Sequence, residues 1–267
     1  MVFDNFFINE PWKMEVDPFQ VAPHIYYVGN SYVGSYLIES SDGLILLDQG
    51  FSETVHMLFE SIRKLGFNPK DIKHLLISHG HVDHCGGTRL VQEYTGAKIY
   101  MSQIDYKMMK EHPEWVSLGN VNCLDFTVDY FYSDSTPLNF GDIEIETKLT
   151  AGHTPGTTSF FIYDYDFDGT KYRCAMHGGL GFNTMRQDFF EKYPTWPRDL
   201  SVSYLKSMES LIGEIVDIPL PSHPAQFPIM DKAGRYEDGD KNPFIDREAF
   251  GNMVRKRIEM VQEFLPN

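Results

Sequence analysis

Apolar residues along the chain follow two spacings, one typical of β-strands and the other of α-helices. In segment 142–149, Ile143, Ile145 and Thr147 alternate with charged residues, which predicts a strand with one buried face. Segment 44–47 is apolar throughout and favours a strand buried on both faces. Further strands are predicted at residues 24–28, 36–39, 73–78, 158–163 and 172–176.

Helical spacing follows several of these strands. Apolar residues three and four positions apart predict a helix that begins with Ser52 as its capping residue and ends at Gly66. Its apolar stripe consists of Val55, Leu58, Phe59, Ile62 and Leu65. Further helices are predicted near residues 86–94, 199–212 and 247–265, and the proline-rich segments 194–197 and 219–228 are predicted loops.

The order of these elements predicts the α/β class. Strand-rich halves with interleaved helices favour two sheets packed together with helices outside. A length of 267 residues suits one large domain or two small ones, but no low-complexity linker divides the chain. We therefore expect a single domain over residues 1–267.

Charge and hydropathy narrow the class of partner. The formal net charge is -15 and no basic cluster reverses it locally, so nucleic acid is not an expected partner. No apolar run approaches the roughly 20 residues that span a bilayer, so a membrane is not expected either. A small-molecule substrate remains, and the sequence carries no signal for an oligomeric state.

The start of the chain and its cysteines predict a compartment. Residues 1–10 have neither the basic region nor the apolar region of a signal peptide, which predicts a cytoplasmic protein. The three cysteines show no CxxC spacing, so a disulfide framework is not expected. Reduced thiols agree with a cytoplasmic location.

The strongest chemical signal is the segment 78–84, Ser-His-Gly-His-Val-Asp-His. Neutral imidazole and carboxylate groups are ligands that zinc prefers, and four of them follow one strand within six residues. His79 and His81 stand two apart, so in an extended loop both rings can face one point. Asp83 and His84 fall at the turn into a helix and can face a second point nearby.

Three isolated histidines follow other apolar segments: His153 and His177 follow predicted strands, and His223 follows the apolar run 215–220. His153 lies in Ala-Gly-His-Thr-Pro-Gly (151–156) and His223 in Pro-Ser-His-Pro (221–224), and both are predicted metal ligands. His177 ends the strand 172–176 in the same way and is predicted to act at the site, beside the substrate or behind the ligands. Cys85 adjoins His84, and we expect it to pack rather than to bind metal.

Together, the His-x-His-x-Asp-His run, the Gly-His-Thr-Pro-Gly segment and the final Ser-His resemble the metallo-β-lactamase superfamily. The resemblance implies an αββα sandwich, in which two mixed β-sheets flanked by helices hold metal ions at one edge. The match is closer to the third subclass of class B β-lactamases and covers nearly the whole chain. It is carried by segments 11–12, 18–19, 26–29, 65–69 and 242–246.

This closer resemblance implies two zinc ions per chain. It assigns His79, His81 and His153 to one ion. It assigns Asp83, His84 and His223 to the other. Segment 176–181 has no carboxylate, whereas most other hydrolases of the superfamily carry a bridging aspartate there, which argues against a typical thioesterase or acyl-homoserine lactonase.

Hydrolysis is the expected reaction, because two zinc ions lower the pKa of a shared water toward roughly 7. The hydroxide would attack the carbonyl of a cyclic amide, with Asp83 orienting it, and a β-lactam is the first candidate substrate. Asp48 is expected to support a ligand by accepting its outer ring N–H.

Two alternatives stay open. Phe250 stands where many of the β-lactamases have a cysteine, and Gly179 where a serine often lines the site. With the expected cytoplasmic location, these differences favour a hydrolase of another lactone, ester or cyclic amide. The second alternative is a metal-binding protein without turnover.

Overall fold

The computed structural model describes residues 9–116, 123–166, 168–233, 235 and 242–266. Over these residues the chain forms two β-sheets and helices. The first sheet has seven strands in chain order, β1 (Phe19–Ala22), β2 (Ile25–Tyr27), β3 (Tyr36–Ser40), β4 (Gly43–Leu47), β5 (Ile72–Leu76), β6 (Lys98–Met101) and β7 (Tyr130–Phe131). The second has five, in spatial order β12 (Ile218–Pro219), β11 (Lys171–Met176), β10 (Thr158–Tyr165), β9 (Ile143–Leu149) and β8 (Leu138–Phe140).

Both sheets are mixed. Strands β1 to β4 pair antiparallel and β4 to β7 pair parallel. In the second sheet β8 to β11 are antiparallel, and β12 joins β11 in parallel. The helices are α1 (Val55–Lys64), α2 (Val82–Cys85), α3 (Thr88–Thr95), α4 (Gln103–Glu111), α5 (Pro113–Val116), α6 (Gln187–Lys192), α7 (Leu200–Ser210) and α8 (Ala249–Val261).

An apolar core fills the space between the two sheets. It joins Ile45 and Leu76 of the first sheet to Ile145, Phe160 and Met176 of the second. A second core packs α1 and α3 against the outer face of the first sheet. A third packs α7 and α8 against the outer face of the second. The layers are helix, sheet, sheet and helix, which confirms the predicted αββα sandwich.

Most of the predicted elements are present with shifted ends. The strand predicted at 142–149 is β9, and the helix predicted at 199–212 is α7. The first helix begins at Val55 rather than at Ser52, because Ser52–Thr54 form a 3₁₀ turn and the Ser52 hydroxyl donates to the Glu53 carboxylate. The last helix ends at Val261, before a 3₁₀ turn.

Several elements were not predicted, among them β1, β6, β12 and α4. Strand β12 has two residues, one of them a proline, inside or beside a segment predicted as a loop. It exists because it pairs with β11, a contact between residues more than 40 positions apart. Such pairing leaves no local spacing in the sequence.

No helix in the described ranges is long and apolar enough to cross a membrane. The expectation about a signal peptide rests on residues 1–10, of which residues 1–8 lie outside the described residues. The interpretation of residues 1–267 as one domain stays a prediction.

The strands that precede the predicted ligands end at one edge of the sandwich. Parallel neighbours β4 and β5 end there, as do β9, β11 and β12 of the second sheet. The Thr158 N–H donates to the Ser78 carbonyl at 2.9 Å and ties the sheets together at this edge. Gly34, just before β3, donates to the Ser222 carbonyl at 2.8 Å, next to His223.

We expect Gly34→Ala to destabilise the protein. A Cβ at Gly34 would lie 2.3 Å from the Pro221 carbonyl oxygen, so the loop that carries His223 would have to move. Overpacking of this kind costs about 1–3 kcal/mol of unfolding free energy, which urea denaturation measures. Gly251→Ala in α8 is the control, because its Cβ meets only ordinary contacts and should leave stability unchanged or raised. Equal stability of the two variants would contradict the argument.

Candidate metal centre

Asp48 organises the edge of the sandwich directly after β4. Its backbone has a φ of 57°, in the left-handed region that residues other than glycine seldom adopt. Its fully buried carboxylate accepts hydrogen bonds from the Ser78 N–H at 2.8 Å, the Ser78 hydroxyl at 2.7 Å and His84 Nδ1 at 2.7 Å. These bonds hold the unusual backbone conformation and confirm that Asp48 contacts a predicted ligand.

Three predicted ligands meet in what we term the three-histidine group, His79, His81 and His153. His81 Nδ1 lies 3.1 Å from His79 Nε2 and 3.0 Å from His153 Nε2. The outer nitrogen of His153, Nδ1, donates to the Gly181 carbonyl at 3.0 Å. Because a carbonyl oxygen only accepts, the His153 proton is on Nδ1, and its Nε2 presents a lone pair to the group.

The other predicted ligands, Asp83, His84 and His223, form a second group beside it. His84 and His223 face each other through their Nε2 atoms at 3.2 Å, and Asp83 Oδ2 lies 3.6 Å from each of those atoms. His79 also belongs to a metal-capable set with Asp83 and His84, so it lies between the two groups.

The protons of the second group are fixed on its outer nitrogens. His84 Nδ1 donates to Asp48, and His223 Nδ1 donates to the Tyr32 carbonyl at 2.8 Å. When both rings are neutral, two Nε2 lone pairs therefore face each other across 3.2 Å. This arrangement is repulsive unless a cation lies between the nitrogens, either a metal ion or the proton that the raised pKa of His84 favours.

The donor atoms fit metal ions, and zinc in particular. Imidazole nitrogens and one carboxylate are the ligands of zinc sites, and tetrahedral zinc separates its ligand nitrogens by about 3.3 Å. The separations of 3.0–3.2 Å observed here are close to that value. All six residues predicted to bind metal are thus brought together at one edge of the sandwich.

Electrostatics favours the metal-binding form of the three-histidine group. Burial lowers the pKa of His79 and of His153 well below the usual value and that of His81 to about 4. Neutral imidazole, the form that binds metal, therefore dominates at pH 7. For His84, burial lowers the pKa but the carboxylates of Asp83 and Asp48 outweigh it, and the pKa is raised. The same two carboxylates attract a cation.

Packing holds the rings in place. Gly179 and Gly181 pass beside His153, and a Cβ at Gly179 would lie 2.6 Å from His153 Cδ2. A side chain at this position, such as the serine expected from the family resemblance, would displace the ring. On the other side, Trp196 stacks on His81 with ring centroids 6.4 Å apart.

His177 lies apart from the metal-capable groups of the described residues. Cys174 and Met176 of β11 face the core between the sheets, whereas Ala175 faces the helices of the outer layer. His177 is buried, its Nδ1 accepts from the Gly179 N–H at 3.2 Å, and its ring lies 6.4 Å from that of Tyr204 in α7. Burial and the charge of Arg257 lower its pKa to about 3. Its predicted catalytic role stays a prediction.

Two further residues complete the surroundings. Cys85 is buried in the outer core of the first sheet, 3.9 Å from Cys123 Sγ, as its predicted packing role requires. Asp105 of α4 was not predicted, yet its buried carboxylate bonds the backbone of two of the three ligand-bearing segments, at Gly80 and Gly156. Nothing local marks it, because its partners are backbone amides more than 20 residues away.

Comparison with solved structures places the fold beside known enzymes. Native FEZ-1 metallo-β-lactamase from Legionella gormanii superimposes with a TM-score of 0.83 and 28% identity, over 94% of this chain and 95% of that chain. BJP-1, a subclass B3 metallo-β-lactamase of Bradyrhizobium japonicum, gives 0.84 and 26%, over 95% of both chains.

Curated relatives are more varied. The probable metallo-hydrolase YqgX of Bacillus subtilis is 26% identical over 181 residues, which are 64% of this chain and 82% of that protein. An N-acyl homoserine lactonase of Bacillus cereus is 26% identical over 159 residues, 50% of this chain and 59% of that protein. The chain therefore spans little more than half the length of the lactonase.

The family model of the metallo-β-lactamase superfamily matches residues 28–167, more than half of the chain. This range contains the segment 79–84 and His153, and the sandwich observed here is the fold of the matched structures. The chain belongs to the metallo-β-lactamase superfamily and is a metal-dependent hydrolase of that family.

Proposed function

We propose that this hydrolase opens β-lactam rings with two zinc ions per chain. The observation that carries the proposal is the likeness to subclass B3 enzymes over almost the full length of both chains, with a TM-score of 0.84 for BJP-1. The ligand set that the family resemblance implies, five histidines and one aspartate, lies together in this chain and supports it. A small molecule is then the partner of the site.

Zinc ions bound at such a site polarise a carbonyl and bring the pKa of a water toward about 7. The residues define two unlike sides for this chemistry. The three-histidine group adds no negative charge. A zinc ion held there would therefore keep its full positive charge and would attract a carbonyl oxygen most strongly. A zinc ion held by Asp83, His84 and His223 on the other side would stabilise the negative charge that develops on the leaving amide nitrogen.

One carboxylate oxygen of Asp83 is available to bind the attacking water. Its Oδ1 is buried and has no hydrogen-bond partner among the described residues, whereas Oδ2 faces the second group. A buried carboxylate oxygen is a strong acceptor, so Oδ1 can accept a hydrogen bond from the water and direct its lone pair to the carbonyl carbon. This is the orienting role that the sequence predicts for Asp83.

Hydrolysis of a lactone or another ester is the second candidate. It is favoured by the N-acyl homoserine lactonase and hydroxyacylglutathione hydrolase among the curated relatives, which are 24–26% identical to this chain. The same residues serve this reaction, because the ring oxygen takes the place of the amide nitrogen as leaving group. We expect the surroundings of Trp196, which stacks on His81, to contribute to the choice between the two substrates.

We expect the wild-type protein to bind two zinc ions per chain and His153→Ala to bind about one. The variant removes a lone pair from the three-histidine group, and hydrolysis should fall at least about 100-fold. Equilibrium dialysis followed by elemental analysis measures the zinc content. His56→Ala, an exposed histidine, is the matched control and should keep two ions. Full zinc content in His153→Ala would contradict the ligand assignment.

Substrate preference separates the two candidate reactions. We expect zinc-loaded protein to hydrolyse a carbapenem and a chromogenic cephalosporin with a higher kcat/KM than an N-acyl homoserine lactone or a glutathione thioester. Turnover of the lactone alone would replace the β-lactam proposal with the second candidate. A sample with two zinc ions that turns over none of the four substrates would contradict both candidate reactions.

We expect Asp48→Asn to weaken zinc binding about 10- to 100-fold. The asparagine amide donates where the carboxylate accepts, so His84 Nδ1 would have to accept and the His84 proton would move to Nε2, the ligand nitrogen. Chelator competition measures the affinity. Unchanged affinity would show that the proton on His84 is not set by Asp48.

A further inference from the structure

We propose that Asp105 is a positioning residue that sets the spacing of the three-histidine group and thereby its affinity for metal. The inference rests on the proposed metal centre, although Asp105 itself is outside both groups of ligands. It assigns a metal-binding consequence to a carboxylate that lies on α4, a helix with none of the six predicted ligands.

The Asp105 carboxylate bonds both loops that carry the group. Its Oδ2 accepts from the Gly80 N–H at 2.8 Å, and its Oδ1 accepts from the Gly156 N–H at 2.6 Å. Gly80 lies between His79 and His81, and Gly156 lies three residues after His153. One rigid carboxylate therefore joins the two loops whose histidines approach to 3.0 Å.

A third bond extends the connection toward His153. The Thr154 hydroxyl donates to Asp105 Oδ2 at 2.7 Å, because an ionised carboxylate only accepts. With its proton committed to Asp105, Thr154 Oγ1 can accept from the Thr157 hydroxyl at 2.7 Å. Thr157 Oγ1 in turn accepts from the Thr154 N–H at 3.0 Å. The Asp105 carboxylate thus fixes the Thr154 hydroxyl, and the bonds between Thr154 and Thr157 fix the turn after His153.

The surrounding packing leaves the carboxylate little freedom. A Cβ at Gly156 would lie 2.5 Å from Asp105 N, and a Cβ at Gly80 would lie 2.9 Å from Met109 Cγ of the same helix. Both loops therefore lie directly on α4, and Asp105 is fully buried between them. Metal ligands must be held within about 0.5 Å of their binding geometry. The hydrogen bonds from Gly80 and Gly156 to Asp105 hold the two loops together without a bound ion.

Asparagine at position 105 tests the requirement for an acceptor at nearly constant volume. Its amide nitrogen would face either the Gly156 N–H, at the Oδ1 position, or the Gly80 N–H and the Thr154 hydroxyl, at the Oδ2 position, so one loop would lose its backbone bond. We expect Asp105→Asn to weaken zinc binding to the three-histidine group about 10- to 100-fold, as loss of outer ligand supports does elsewhere. Chelator competition gives the affinity, and the visible absorption of the cobalt-substituted protein reports the ligand geometry.

Asp164→Asn is the matched control. Asp164 is also a fully buried carboxylate that accepts three hydrogen bonds, two from His24 and one from the Tyr165 N–H, and it lies on β10 away from the ligand loops. Both variants should lower the unfolding free energy of the metal-free protein in urea. Only Asp105→Asn should also change the zinc affinity and the cobalt spectrum.

Equal zinc affinity in wild type and Asp105→Asn, with a loss of stability alone, would overturn the inference and leave Asp105 as an ordinary part of the packing. If Asp105→Asn does not fold, Thr154→Val decides, because it removes one of the three donors at constant shape. We expect it to weaken zinc binding several-fold, and an unchanged affinity would overturn the inference. Wild-type protein that binds no zinc would instead refute the proposed metal centre.

Discussion

Imidazole lone pairs that face one another about 3 Å apart are the constraint on which the rest of this site depends. Each ring can keep its inner nitrogen free only if its proton has an acceptor on the outer side. Asp48, the Gly181 carbonyl and the Tyr32 carbonyl provide these acceptors for His84, His153 and His223. One side-chain carboxylate and two backbone carbonyls thus orient the neutral rings so that their inner nitrogens present lone pairs to the centre.

The sandwich meets this demand through the direction of its strands. Strands of both sheets end at the same edge, so loops from distant parts of the sequence converge without any long connection across the site. The core between the sheets holds the strand ends at a fixed separation. Asp48 in its left-handed conformation and Asp105 on α4 then fix the loops themselves, one from each side.

The sequence predicts this fold and its ligands unevenly. His79, His81, Asp83 and His84 are predictable because their spacing alone brings them together on one loop. His177 also ends a strand but lies outside both metal-capable groups, and its predicted role at the site stays a prediction. The alternation of β11 turns Met176 toward the core between the sheets and Ala175 toward the helices, and this direction depends on how the sheets pack.

Asp105 could not be found from sequence, because its role depends on main-chain amides of loops that only the tertiary structure brings near. For the same reason the short strand β12, held by its pairing with β11, has no periodicity of its own. The role of a side chain can be predicted from the sequence when its partners are nearby in the chain, whereas a role that depends on remote partners cannot.

The bond from His223 to the Tyr32 carbonyl joins residues 191 positions apart. The three-histidine group, by contrast, takes its ligand nitrogens from residues 79 to 153, and the outer bond of His153 reaches only to Gly181. All of these residues leave the ribosome before His223 does. The second set of nitrogens is therefore complete only when His223 has emerged and its loop has packed against the Tyr32 carbonyl.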